Sequence, residues 1–124
     1  MAPDHKRKDE KKPMEKNLFK MIEMKEEATL LEYYLLEDAV EVKESNFAVM
    51  CYGIEVVKRN VGEDGLEYTQ SKTVKNITCS ETLARQFLEL ISSNEVMPVS
   101  LKDVLDDFVE EGYFEQVFEE KKIA

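Results

Sequence analysis

The chain predicts an α+β fold: an antiparallel sheet of about four strands over residues 18–77, with two or three C-terminal helices packed on one face. Three observations predict it. From Leu18 to Ile77 the apolar residues recur with a period nearer two than 3.6, and β-branched and aromatic types are frequent. Beyond Thr78 the period becomes helical, with Leu83, Phe87, Leu90 and Ile91 on one stripe. Strand-like and helix-like segments also follow one another in blocks instead of alternating, as a parallel sheet with crossover helices would require.

The elements follow in order. The first strand is expected over Leu18–Lys25, with Glu26, Glu27 and Ala28 as a tight link to a second over Thr29–Glu37. That second strand carries Leu30, Tyr34 and Leu36 on one alternation and Leu31, Tyr33 and Leu35 on the other, which places it inside the sheet. The third strand, Asn46–Arg59, has the same two-sided character: Phe47, Val49 and Cys51 alternate with Ala48, Met50, Tyr52 and Ile54. Tyr33, Tyr34, Tyr52 and Phe47 are expected in the core. Asp64-Gly65 is the dipeptide that suits a type I′ hairpin turn, where both central residues need positive φ. The fourth strand, Leu66–Ile77, carries Gln70, Ser71, Lys72 and Lys75, a polarity suited to a sheet edge.

Thr78-Cys79-Ser80-Glu81 has the spacing of a capping box, with Thr78 as N-cap and Glu81 reaching back to it. The helix it opens runs to about Ser93. Pro98 interrupts, and Ser100 precedes a second helical pattern through Leu101, Val104, Leu105, Phe108 and Val109, stopped by Gly112. The domain organisation is then a charged disordered tail over residues 1–16, one α+β domain over residues 17–112, and a helical extension over residues 113–124.

Composition narrows the functional classes. The chain has 124 residues, 35% of them charged, with 17 Lys plus Arg against 27 Asp plus Glu and a formal net charge of −10. Six bases and four acids in residues 1–16 give that tail +2, so the remainder carries −12. Such a surface repels phosphate backbones, and nucleic acid is not an expected partner. The longest uncharged stretch, Ser45–Ile54, is far short of the roughly 20 apolar residues that span a bilayer, and the N-terminus lacks the apolar segment of a secretory signal. A cytoplasmic protein without membrane contact is expected, with Cys51 and Cys79 as thiols.

The segments LEYYLLE (Leu31–Glu37), YGIEVVK (Tyr52–Lys58), VKNIT (Val74–Thr78) and MPVSLKDVLDDFV (Met97–Val109) resemble a family of small clostridial proteins classed as a domain of unknown function. The resemblance covers roughly residues 30–110. It implies a bacterial cytoplasmic origin and assigns no activity, cofactor or functional residue.

Catalytic chemistry has little to draw on. The single histidine, His5, lies in the tail, which removes Ser-His-Asp and Cys-His catalysis and histidine-based zinc sites. There is no glycine-rich phosphate cradle, and no cofactor or metal is expected. Cys79 is the candidate reactive thiol, because the first position of a helix after Thr78 would favour its thiolate; the bland alternative is a small residue filling a strand-to-helix corner. Asp103, Asp106, Asp107, Glu110 and Glu111 form the densest acidic cluster, read chiefly as the solvated face of a helix. Phe114, Val117 and Phe118 lie at i, i+3 and i+4 in a charged segment and are candidate partner-binding residues.

These features point to a protein-binding or regulatory module without catalysis, its partner another protein or a second copy. The alternatives are a small enzyme working through carboxylates or Cys79, and an acidic mimic of nucleic acid.

Overall fold

The computed structural model describes residues 14–41 and 47–110. Four strands, β1 (Glu15–Met24), β2 (Thr29–Glu41), β3 (Ala48–Val61) and β4 (Glu67–Thr78), are followed by two helices, α1 (Glu81–Ser93) and α2 (Leu101–Glu110). The sheet is antiparallel throughout, in the order β1-β2-β3-β4. The strands with apolar residues on both alternations, β2 and β3, are therefore central, and the polar β4 is an edge, as their sequences require. The expected tail and extension lie largely outside the described residues, which include neither 1–13 nor 111–124. Glu15 and Lys16, counted with that tail, already belong to β1 and pair with Glu37 and Leu36.

Both helices pack on one face. Leu31, Tyr33 and Leu35 of β2 and Ile54 and Val56 of β3 meet Leu83, Ala84, Phe87, Leu88 and Ile91 of α1, with Leu101 and Phe108 of α2 closing the layer. The Phe87 and Phe108 rings lie 4.9 Å apart at 56°, a tilted contact that adds to the area they bury. Leu90 departs from the expected stripe and is exposed, while Leu88 is buried. At about 100° per residue, positions 83, 84, 87, 88 and 91 centre on one direction, and 90 falls roughly a quarter-turn from it.

Two bulges shape the sheet. In β1 the register shifts between Leu18 and Lys20, so that Phe19 packs against the core together with Ile22 and Met24, and Lys20 on the same side reaches Glu89 of α1 at 3.1 Å. In β4 the register shifts between the pairs Ile54↔Val74 and Tyr52↔Thr78, leaving the extra residues of β4 opposite Gly53, with Asn76 at φ 54°. Gly53 is required there. A Cβ would collide with the Val74 carbonyl oxygen and stand 2.9 Å from the Lys75 Cα.

Three local expectations are corrected. The β3–β4 turn is not type I′: Gly65 is left-handed at φ 84°, Asp64 is not, and the Gly65 amide donates to the Gly62 carbonyl at 2.9 Å. This is a three-residue loop with one left-handed glycine; the Asp64 carboxylate accepts from the Leu66 amide and the Tyr68 hydroxyl and holds it closed. The N-cap of α1 is Ser80, whose hydroxyl accepts from the Leu83 amide at 3.1 Å; Thr78 remains in β4, buried, and accepts from the Ser80 amide. Ser100 belongs to a 3-10 turn, Pro98–Ser100, that runs directly into α2.

Candidate functional site

β2 and β3 are longer than their neighbours. Pairing with β1 ends at Glu15↔Glu37 and pairing with β4 ends at Tyr52↔Thr78, whereas the β2–β3 ladder continues through Asp38↔Cys51, Ala39↔Met50, Val40↔Val49 and Glu41↔Ala48. Among the described residues these eight form a two-stranded arm projecting from the end of the sheet. Apolar side chains lie on both faces, with the carboxylate of Asp38 on one and that of Glu41 on the other. Met50 and Ala39 share one face and Val40 and Val49 the other, with Val40 37%, Met50 38% and the preceding Phe47 63% exposed. Phe47 is thus not the core residue its alternation suggests, because it precedes β3 and lies beyond the last pairs that β1 and β4 make with the central strands.

The base of the arm holds two sulfur atoms. Cys51, paired with Asp38, is the innermost arm residue on β3, and Cys79 follows the last residue of β4, with the two Sγ atoms 3.5 Å apart and one thiol donating to the other. The β4 bulge creates this pair. Continuing the Tyr52↔Thr78 register by one residue sets Cys51 opposite Cys79; the Ile54↔Val74 register, continued without a bulge, would set Cys51 opposite Ile77 and Cys79 opposite Val49. Cys79 is not the first residue of the helix, since Ser80 is the N-cap, so the helix-terminus argument for its reactivity does not describe this geometry. Cys51, which the sequence marks only as a thiol on one alternation of the third strand, is its neighbour. Only the three-dimensional register brings the two together, and no local spacing signals it.

The sheet face away from the helices carries a connected polar group. Glu32, nearly buried, accepts from the Tyr34 hydroxyl at 2.8 Å and from the Arg59 Nε at 3.3 Å. Lys16 on β1 reaches over β2 to Glu55 on β3 at 3.2 Å and lies 4.6 Å from the centre of the Tyr34 ring. Burial first, and then the Glu32 carboxylate, push the Tyr34 phenol upward, while Arg59 is raised by Glu32. Each of these groups serves another, and the network fastens three strands together.

A surface cavity of ≈ 340 Å³ lies at the opposite end of the sheet from the arm, between the β1–β2 link and the end of β3, lined in part by Glu23, Lys25, Arg59 and Glu67. Asp64 is held below the usual carboxylate range by the Tyr68 hydroxyl and the Leu66 amide, and Glu89 by Lys20 and Ser93. Both shifts have structural partners. Asp103, Asp106, Asp107 and Glu110 are exposed on α2, where Asp106 pairs with Lys102 at 3.7 Å; Glu111 lies outside the described residues. Among the described residues no three His, Cys, Asp or Glu side chains gather as metal ligands. The candidate partner-binding residues Phe114, Val117 and Phe118 lie outside the described residues. No described helix is long and apolar enough to cross a membrane.

An α+β domain built from a four-stranded antiparallel meander with two helices on one face is the class that this architecture defines. The chain belongs to the family of unknown function DUF6514, whose model matches residues 12–111. Neither a curated protein nor a solved structure matches it.

Proposed function

We propose that the domain is a protein-binding or regulatory module without catalytic activity, and that the β2–β3 arm is the element that meets its partner. The observation that carries this reading is the two-stranded arm with Phe47, Val40 and Met50 exposed. An isolated two-stranded ribbon is marginal in water, so a ribbon with apolar residues on both faces gains by being covered. The partner is a protein, either another chain or a second copy; the acidic sequence disfavours nucleic acid. The sequence resemblance supports a bacterial, clostridial and cytoplasmic setting. Phe114, Val117 and Phe118, at i, i+3 and i+4 in the sequence, belong to the same reading as candidate partner-binding residues.

The test compares the parent protein with a Phe47→Ser/Met50→Ser variant. Sedimentation reads self-association, and affinity capture reads a heterologous partner. The variant is expected to keep its melting temperature and to lose the associated species. Identical association in the two proteins, or none in either, removes the arm from the binding role.

A further inference from the structure

We propose that Cys51 and Cys79 are a modification site: a dithiol that closes to a reversible intramolecular disulfide by exchange with a small-molecule disulfide of the glutathione class. The geometry carries it. Residues directly opposite in an antiparallel pair have Cα atoms about 4.5 to 5.5 Å apart, within the range a disulfide tolerates, and Cys51 and Cys79 are the positions next after Tyr52↔Thr78, the last pair of the ladder that the β4 bulge has reset. Their sulfurs, at 3.5 Å, need to approach by about 1.5 Å to reach bonding distance, a movement available to side-chain rotation. Both residues are half-buried and neither belongs to the fully covered core. The element that makes the pair is also fixed in place. The extra residues of β4 pack onto Gly53, the one residue type that leaves room for them.

The exchange balances in two steps. The thiolate of one cysteine attacks a sulfur of the oxidised reagent, the reagent's S–S bond breaks, and one thiolate leaves and takes up a proton. The second cysteine, as thiolate, attacks the cysteine sulfur of the mixed disulfide; the Cys51–Cys79 bond forms and the second reagent thiolate leaves. Two cysteine thiols lose two protons and two electrons, and one reagent disulfide becomes two thiols. The second step is intramolecular between groups already in contact, so the mixed disulfide should not accumulate. The product ties the end of β4 to the base of the arm. Its formation does not depend on the arm having a partner.

The experiment equilibrates the folded protein with mixtures of reduced and oxidised glutathione, quenches with acid and reads intact mass; a parallel series is run in denaturant. The folded chain is expected to lose two hydrogens without a lasting glutathione adduct. Half-oxidation should fall at a glutathione ratio at least about tenfold more reducing than for the denatured chain, because the fold holds the sulfurs together. Cys51→Ser and Cys79→Ser should each retain a glutathione adduct on the remaining cysteine. Equal midpoints for folded and denatured chains would overturn the proposal, as would a persistent adduct on the parent protein or disulfide-linked dimers in place of the internal product. The comparison of folded with denatured parent protein stands even where a serine variant fails to fold.

Discussion

The Tyr33 hydroxyl donates to the Val96 carbonyl oxygen at 2.9 Å, joining the middle of the central strand β2 to the loop that leaves α1. Tyr33 is fully buried, and this bond is how its one polar atom is satisfied inside the helix-covered core. The loop it meets is tightly folded: Glu95 is left-handed at φ 51°, and the Val96 amide returns to the Ile91 carbonyl at 2.9 Å. A tyrosine at this point both fills the core and fixes where the chain turns toward α2. Tyr33→Phe keeps the ring and removes the bond, leaving the Val96 oxygen without this donor. A loss of about 1 to 2 kcal/mol in urea denaturation is expected; an unchanged midpoint would show that the bond does not contribute.

The same residue sets an alkaline limit. Burial, and secondarily the Glu95 carboxylate, raise its phenol to about 12 from an ordinary value of 10.0. A group whose pKa is raised by folding contributes stability that is complete below the unfolded value and lost as pH rises to the folded one. The loss therefore falls between about pH 10 and about pH 12 and amounts to roughly 3 kcal/mol. Burial also raises Tyr34 and Tyr52, and a hydrogen bond to Asp64 raises Tyr68, in the same direction. Denaturant midpoints measured across that interval should fall for the parent protein and fall less for Tyr33→Phe.

Phe87 is buried in α1, and Leu90 on the same helix is exposed. Phe87→Ala removes a ring packed against Phe108 and is expected to cost about 3 to 5 kcal/mol; Leu90→Ala should cost well under 1. Equal losses at the two positions would contradict the helical phase.

The sequence revealed these elements unevenly, for physical reasons. Strand type, central position and edge position were legible because burial on one or both faces dictates which alternations are apolar: Tyr33 and Tyr34 on opposite faces of β2, Gln70 and Lys72 on β4. Capping was misplaced because Thr78 and Ser80 both offer a hydroxyl acceptor, and only the last sheet pair, Tyr52↔Thr78, decides that Thr78 still belongs to the strand. The bulges were not legible, since one or two extra residues in a strand leave its composition unchanged. Phe19 and the Cys51–Cys79 pair both depend on such a shift, which is why the thiol pair could not be read from spacing. Phe47 failed for a different reason: alternation gives the face a residue occupies but not whether anything covers it there.

Glu32 is the centre of the second sheet face. Glu32→Ala removes the acceptor of both Tyr34 and Arg59 and should cost about 1 to 3 kcal/mol, whereas Glu32→Gln, which keeps an acceptor oxygen, should recover part of it. A thermal scan of the two variants checks this. Equal losses in both would mean that the charge matters and the hydrogen bonds do not.

Gly53 controls the geometry at the base of the arm. A methyl group there would meet the β4 backbone at Val74 and Lys75, and backbone cannot move aside as a flexible side-chain tip can. Gly53→Ala is therefore expected to destabilise by about 1 to 3 kcal/mol. Glycine costs conformational entropy within a strand, and a substitution free of collision would stabilise instead, so the sign of the effect is informative. Because the bulge sets Cys51 opposite Cys79, displacing it should also separate the sulfurs. The folded variant, still more than nine-tenths native by near-ultraviolet dichroism, should then need a less reducing glutathione ratio for half-oxidation than the parent protein. A Gly53→Ala protein with undiminished stability and an unaltered midpoint would show that the bulge tolerates a side chain and that it does not govern the thiol pair.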